Sequence, residues 1–376
     1  MTALRPTHAE IDLANLNHNF QLIRTCVGSI KIMATVKAEA YGHGLIQVSK
    51  SLESKGADYL AVSFLEEGIR LREAGIKLPI LVMGGLVDEQ IDLYIDFHID
   101  ITVSSIWKAK QVERVAKLRS ATAKVHLKFD TGMGRIGQNW KTADKLIAES
   151  AKLKNTEIIG IYTHLASADD PDLNFCHTQI NRFEELIESA RAAGINPPLI
   201  HAANSGAILQ HGAKTRFTMV RPGLLLYGWA PSLHLEGALP LKPIMTLKSK
   251  VVFVKKPPAG STIGYGSSWT SPGDRWIATV PIGYGDGYPL RAGNKSEVLL
   301  DGRLCRVVGK VSMDQITVDA DQQAYLGDEV ILFGGEGKNQ LSIWRLCQSA
   351  DTIPYALLCG LTQRVPRRYL NDENGE

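Results

Sequence analysis

Eight short runs rich in Ile, Val and Leu punctuate the first two-thirds of this chain, and amphipathic stretches separate them. The runs are Ile32 to Val36, Tyr59 to Ser63, Pro79 to Met83, Asp100 to Val103, Val125 to Phe129, Ile158 to Thr163, Leu199 to Ala203 and Phe217 to Arg221. Between them apolar residues recur at three and four positions, as in Leu65 to Glu73 and Gln179 to Ala193. Strands that are apolar almost throughout are buried on both faces, which requires a parallel sheet covered by helices. An open doubly wound sheet more often has five or six strands, whereas eight βα units close a barrel. From about Leu241 the texture changes to alternating strand-like runs joined by Gly, Pro and Asp turns, with two helical stretches near Ser342 to Ala350 and Pro354 to Leu361. The fold class expected is α/β, with an N-terminal (β/α)8 barrel over residues 1–242 and a mainly β domain over 243–376, meeting at a packed junction. The full length of 376 residues suits a barrel plus a second domain.

Composition narrows the function classes. A net charge of +3, without a concentrated basic run, gives nucleic-acid binding no support. No segment has the length and apolarity of a signal peptide or membrane span, so a cytoplasmic protein without membrane contact is expected. Five widely spaced cysteines read as reduced, buried thiols, and no Cys/His set has zinc spacing, so no metal is expected.

In a barrel of this kind the site is built just beyond the C-terminal ends of the strands. Lys37 follows the first run, Lys128 ends the fifth with Arg135 in its loop, His164 follows the sixth, Asn204 and Ser205 the seventh, and Arg221 ends the eighth. An isolated strand-end lysine usually extends to solvent. Placed among these groups, a partly desolvated Lys37 is instead an amine able to form a Schiff base with an aldehyde, pyridoxal phosphate being the obvious one. The loops after the seventh and eighth runs, AANSGA and MVRPGLLLYG, occupy the usual phosphate position, with the Ser205 hydroxyl and the Gly223-Leu224 backbone as donors.

The strings VKAEAYGHG, KFDTGMGRIG, YTHLASAD, HAANSGA, TMVRPGLLLYG, IGYGSSW, PIGYGDGY and GKVSMDQ occur in that order between residues 36 and 315. Together they resemble the successive motifs of bacterial alanine racemases, with a further match around DTIPYALLCG and RVPR. The resemblance covers nearly the whole chain. It implies a fold-type III pyridoxal 5'-phosphate enzyme that interconverts L- and D-alanine, and a homodimer with active sites between subunits. Lys37 would carry the cofactor and serve as the base on the D-alanine side. Tyr265, from the β domain of the partner, would be the base on the L-alanine side. Racemisation needs two acid/base groups flanking a planar centre, and both residue types have ordinary pKa values near 10 that must be tuned downward.

The resemblance further implies that Arg135 and the Met313 backbone bind the substrate carboxylate, and that Arg221 faces the pyridine nitrogen and keeps it unprotonated. His164 would pack by the cofactor ring. Tyr41, Ser205, the Leu224 backbone and Tyr355 would hold the phosphate, with Asn204 and Gly223 beside them, and Tyr284 would narrow the entrance. In relatives the equivalent of Lys128 is often carbamylated, which is expected here. Glu39 departs from the Asp or Asn more familiar at its position, and His43 reads as structural. A broader-specificity racemase or a decarboxylase of the same fold is the alternative; the arginine at the pyridine nitrogen argues against the latter. Asp130-Thr131-Gly132 matches the aspartic-protease tripeptide but lacks a second copy. Both reaction directions use the same residues, so D-alanine supply for peptidoglycan and D-alanine breakdown stay equally open.

Overall fold

In the computed structural model, which describes residues 5–372, eight parallel strands close a barrel. In chain order they are Lys31–Thr35, Tyr59–Val62, Ile80–Val82, Asp100–Val103, Ala123–Asp130, Thr156–Tyr162, Leu199–His201 and Met219–Val220. Each pairs with the next, and Met219–Val220 pairs with Lys31–Thr35 to complete the ring. The eight expected runs are these strands, with ends within two residues. Their side chains, such as Ile32, Leu60, Ile80, Ile101, Leu127 and Ile161, are buried between the inner packing and an outer ring of helices.

Local chemistry sets the helix limits. The helix Leu13–Val27 begins where the Asp12 carboxylate accepts from the Ala14 and Asn15 N–H groups (2.8 and 3.2 Å), and ends at Gly28, whose φ of 65° a side chain would resist. The same helix fixes the domain junction. Asn19 donates to Leu226 O (3.1 Å) and Lys242 O (2.7 Å) and accepts from Lys242 N (2.9 Å), while Asn15 donates to Pro243 O (3.1 Å).

The second domain is built on a nine-stranded sheet. One departure from the expected division at residue 242 lies at the other end of the chain. Strand His8–Asp12 pairs antiparallel with Met245–Lys250 and parallel with Arg367–Leu370, so the N-terminal segment lies in the β domain's sheet. Its alternating burial, one face inward, fits an antiparallel neighbour better than a barrel strand. Helices Ile343–Ala350 and Pro354–Gly360 lie where two helical stretches are expected. Among the described residues no helix is long and apolar enough to cross a membrane. All five cysteines are free. Cys176, Cys305 and Cys347 are buried, but Cys26 is only half-buried and Cys359, in the Pro354–Gly360 helix, is exposed, which corrects the expectation that all are buried.

Candidate active site

At the C-terminal mouth of the barrel a cavity of about 220 Å3 is lined by Lys37, Tyr41, His164, Asn204, Ser205, Arg221, Gly223, Leu224 and Tyr355. Thr35, Met83, Asp169, Gly206 and Pro231 complete its wall and were not among the residues singled out from sequence. Asp169 lies within the YTHLASAD string, so its placement after the sixth strand was the signal available.

Lys37 stands at the head of an unusual turn. Ala38, Glu39, Ala40 and Tyr41 all have left-handed backbone angles, with φ between 51° and 56° and ψ between 41° and 55°. Each non-glycine residue in that region costs about 1–2 kcal/mol, so surrounding bonds must impose it. Glu67 accepts from Ala38 N (2.6 Å) with one oxygen and from Ser63 N (2.9 Å) and Phe64 N (3.2 Å) with the other. Arg367 donates to Gly42 O (3.0 Å), and the Tyr369 hydroxyl donates to His43 O (3.1 Å). Packing leaves no slack: a Cβ on Gly42 would meet Leu358 O at 2.1 Å, and one on Gly44 the Tyr369 hydroxyl at 1.8 Å. His43 is fully buried, stacked on Tyr227 with centroids 4.6 Å apart, which gives it the structural part expected. Glu39 points away from the cavity to an exposed ion pair with Arg70.

The electrostatics of the mouth are strongly cationic. Burial lowers the Lys37 pKa, with the Arg135 charge as the next cause. Burial and then Arg221, Arg135 and Lys37 bring Lys128 down to about 7. Its Nζ lies 3.4 Å from Met83 O and 5.1 Å over the Tyr162 ring. His164 is pushed well below its ordinary value by burial and by Arg221, so it is a neutral imidazole. Arg221 is buried, and burial lowers it only to about 10, so it keeps its charge. Its Nη1 reaches His201 Nδ1 (2.8 Å), and its Nη2 reaches Thr163 O (2.8 Å), Ala202 O (3.1 Å) and His164 Nδ1 (3.3 Å).

The loops after strands Leu199–His201 and Met219–Val220 meet through one hydroxyl. Ser205 Oγ accepts from Gly223 N (3.0 Å) and Leu225 N (3.4 Å), and Asn204 caps the following turn by accepting from Ala207 N (3.1 Å). A Cβ on Gly223 would lie 2.6 Å from the Tyr41 hydroxyl. The space is thus a concave cradle of hydroxyls and backbone beside a cation, which suits a phosphate.

Arg135 rides on a loop shaped by Asp130, whose carboxylate accepts from Gly132 N (2.9 Å) and Gly134 N (3.1 and 3.0 Å). Asp130 is therefore a loop-forming residue. The other expected site residues are not gathered in this cavity. Tyr265 is 72% exposed, Met313 52% and Tyr284 44%, all on the β domain. Tyr265 sits at the tip of the ribbon Thr262–Ile263/Trp269–Thr270, while Tyr284 N donates to Ser312 O (3.0 Å) and Gly285 N to Met313 O (2.9 Å), which places those two side by side.

Comparison with known proteins agrees with this geometry. Residues 11–231 match the model of the alanine racemase N-terminal domain and residues 244–369 that of the C-terminal domain. This chain belongs to the alanine racemase family. It is 41% identical over 374 residues to an alanine racemase of Halothermothrix orenii, covering 99% of this chain and 98% of that one. A Carboxydothermus hydrogenoformans alanine racemase is 40% identical over 372 residues, covering 98% of this chain and all of the relative. Among solved structures, alanine racemase of Clostridium difficile superposes with a TM-score of 0.92 at 39% identity, over 99% of this chain and 98% of that one. That of Bacillus anthracis, with bound L-Ala-P, gives 0.90 at 34%, over 100% and 97%. Alanine racemases are isomerases, and the closed barrel joined to a mainly β domain is their architecture.

Proposed function

We propose that this protein interconverts L- and D-alanine with pyridoxal 5'-phosphate seated in the barrel mouth, as a homodimer in which Tyr265 and Met313 of one copy complete the site of the other. The observation that carries the reading is the single cavity that joins an amine of lowered pKa, a fixed guanidinium and a hydroxyl-and-glycine cradle. Lys37 would hold the cofactor aldehyde. Tyr41, Ser205, the Gly223-Leu224 backbone and Tyr355 would hold its phosphate. His164 and Arg221 would face its ring. When bound, the cofactor supplies an electron sink that acidifies the alanine Cα–H.

The chain's own residues do the rest. Lys37, whose ammonium is disfavoured by burial and by the Arg135 charge, takes or gives the proton on one face of Cα. Arg221 can only donate, so a ring nitrogen placed against it would stay unprotonated and the sink modest, which would favour prompt return of the proton to Cα. That same property disfavours decarboxylation. The phenol of Tyr265 serves the opposite face. Its high exposure, with Met313 and Tyr284 also open on the same domain, supports a site completed by a second copy and narrowed there by Tyr284. Arg135 and the Met313 backbone would orient the substrate carboxylate. The small ligand in the name of the Bacillus anthracis structure is consistent with an alanine-sized pocket, with slower turnover of slightly larger side chains expected.

Lys128, brought to about 7 by burial, carries enough neutral amine to add carbon dioxide. We propose that it is carbamylated, which converts a cation among cations into an anion that steadies Arg135. Borohydride treatment of the purified protein, followed by peptide mapping, tests the cofactor assignment. The adduct is expected on Lys37, and a pyridoxyl group on any other residue refutes it.

A further inference from the structure

Behind Arg221 a line of buried polar groups runs down the inside of the barrel. Arg221 donates to His201 Nδ1 at 2.8 Å, and His201 Nε2 is 3.0 Å from His126 Nδ1. His126 Nε2 has no hydrogen-bond partner and lies 3.9 Å from Asp100 Oδ2, which also accepts the Tyr59 hydroxyl. His126 and His201 are wholly buried, and Asp100 and Tyr59 nearly so. Tyr59 and Asp100 border a second cavity, of about 470 Å3, distinct from the mouth.

The direction of every proton follows from the first donor. A guanidinium has no lone pair to offer, so His201 Nδ1 must be the bare nitrogen. Burial and the Arg221 charge keep both imidazoles neutral, so His201 carries its proton on Nε2 and gives that bond to His126 Nδ1. His126 in turn carries its proton on Nε2, aimed toward the Asp100 carboxylate. Two aligned imidazole dipoles thus bridge a cation and an anion. The fold makes room for this arrangement specifically. A Cβ on Gly160 would lie 2.0 Å from His126 Nδ1, and the pairing of strands Ala123–Asp130 and Thr156–Tyr162 shifts register between Val125 and His126. Tyr162 stacks flat on His201, with an interplanar angle of 4° and centroids 4.8 Å apart, and its hydroxyl is tied to Thr102 Oγ1 at 2.8 Å.

We infer that Asp100 and His126 are positioning residues for Arg221: the Asp100 carboxylate favours, from the other end of the line, the same His126 and His201 tautomers that the guanidinium demands, and the two rings so ordered hold the guanidinium in the orientation it presents to the mouth. The last link, from Arg221 to the cofactor ring, rests on the proposed cofactor placement. None of the four groups touches the mouth cavity except Arg221, so their effect on the reaction is exerted through it.

The test is 15N NMR of the histidine side chains in the full-length protein, before and after removal of bound cofactor, with His126 and His201 assigned by single substitution. Both rings are expected to be Nε2–H tautomers. In Asp100→Asn and in Gly160→Ala, which changes none of the charged groups, the His201 shifts should move. Turnover should fall about 10- to 100-fold, the range seen when an outer orienting partner is lost, with KM for alanine less affected and the visible band of the bound cofactor shifted. An Nδ1–H proton on either wild-type ring, or His201 shifts unmoved in both variants, overturns the inference. If the shifts move but the cofactor band and turnover do not, the step from Arg221 to the ring is refuted. Failure of the cofactor reading itself would show separately, as a wild-type protein without an adduct on Lys37.

Discussion

The barrel mouth and the exposed face of the β domain are two halves made to different standards. In the mouth the candidate groups are anchored: Arg221 donates to four acceptors, Ser205 bridges two loops, and Lys37 is presented by a turn whose backbone is pinned from both domains. On the β domain, Tyr265, Met313 and Tyr284 project into open space. A preorganised half beside an exposed half is the pattern that the proposed isologous dimer with shared sites would leave on each of its chains.

That contrast can be broken most sharply by mixing. Lys37→Ala and Tyr265→Ala chains, each expected to lose activity by about 10^3-fold or more when alone, should regain about a quarter of wild-type turnover after subunit exchange, since half of the dimers are mixed and each of these has one intact site. A mixture as inactive as its components would place both groups in a single chain's site.

A smaller effect probes the preorganised half. Gly223→Ala puts a methyl 2.6 Å from the Tyr41 hydroxyl, in the cradle. Cofactor affinity, measured by titration of the stripped protein, should weaken roughly 10- to 100-fold, the equivalent of about 1.4–2.7 kcal/mol, while the melting temperature without cofactor changes little. An unchanged affinity would remove the phosphate from this position. The smallest effect is on the turn. Glu67→Gln keeps size but replaces a charged acceptor of the Ala38, Ser63 and Phe64 N–H groups. A loss of about 1–2 kcal/mol in denaturant unfolding is expected, with a lower rate of cofactor attachment to Lys37. Stability equal to wild type would mean that Glu67 does not constrain the turn.

Much of the barrel could be read from the chain because its strands are buried on both faces and therefore nearly unbroken runs of Ile, Val and Leu, as at Ile80–Val82 and Ile161. Residues that line the mouth were legible where they follow such a run directly, as Lys37 and Arg221 do. The strand His8–Asp12 was not, since five residues of mixed polarity gain their partners only from segments more than 200 positions away. The left-handed turn was invisible for a related reason. Its four residues include no glycine, the one local sign of positive φ, and the conformation is imposed by Glu67, Arg367 and Tyr369. His126 was equally silent: a single histidine in an apolar run says nothing of the glycine opposite it on the neighbouring strand.

The left-handed turn also ties the two domains to one another. Glu67 braces it from the barrel, while Leu358, Arg367 and Tyr369 wedge it from the second domain. The strand that carries Arg367 and Tyr369 lies beside His8–Asp12 in the nine-stranded sheet. Any slippage of that edge pair would therefore be felt at the backbone that presents Lys37, so the far rim of one domain acts as the anvil for the mouth of the other.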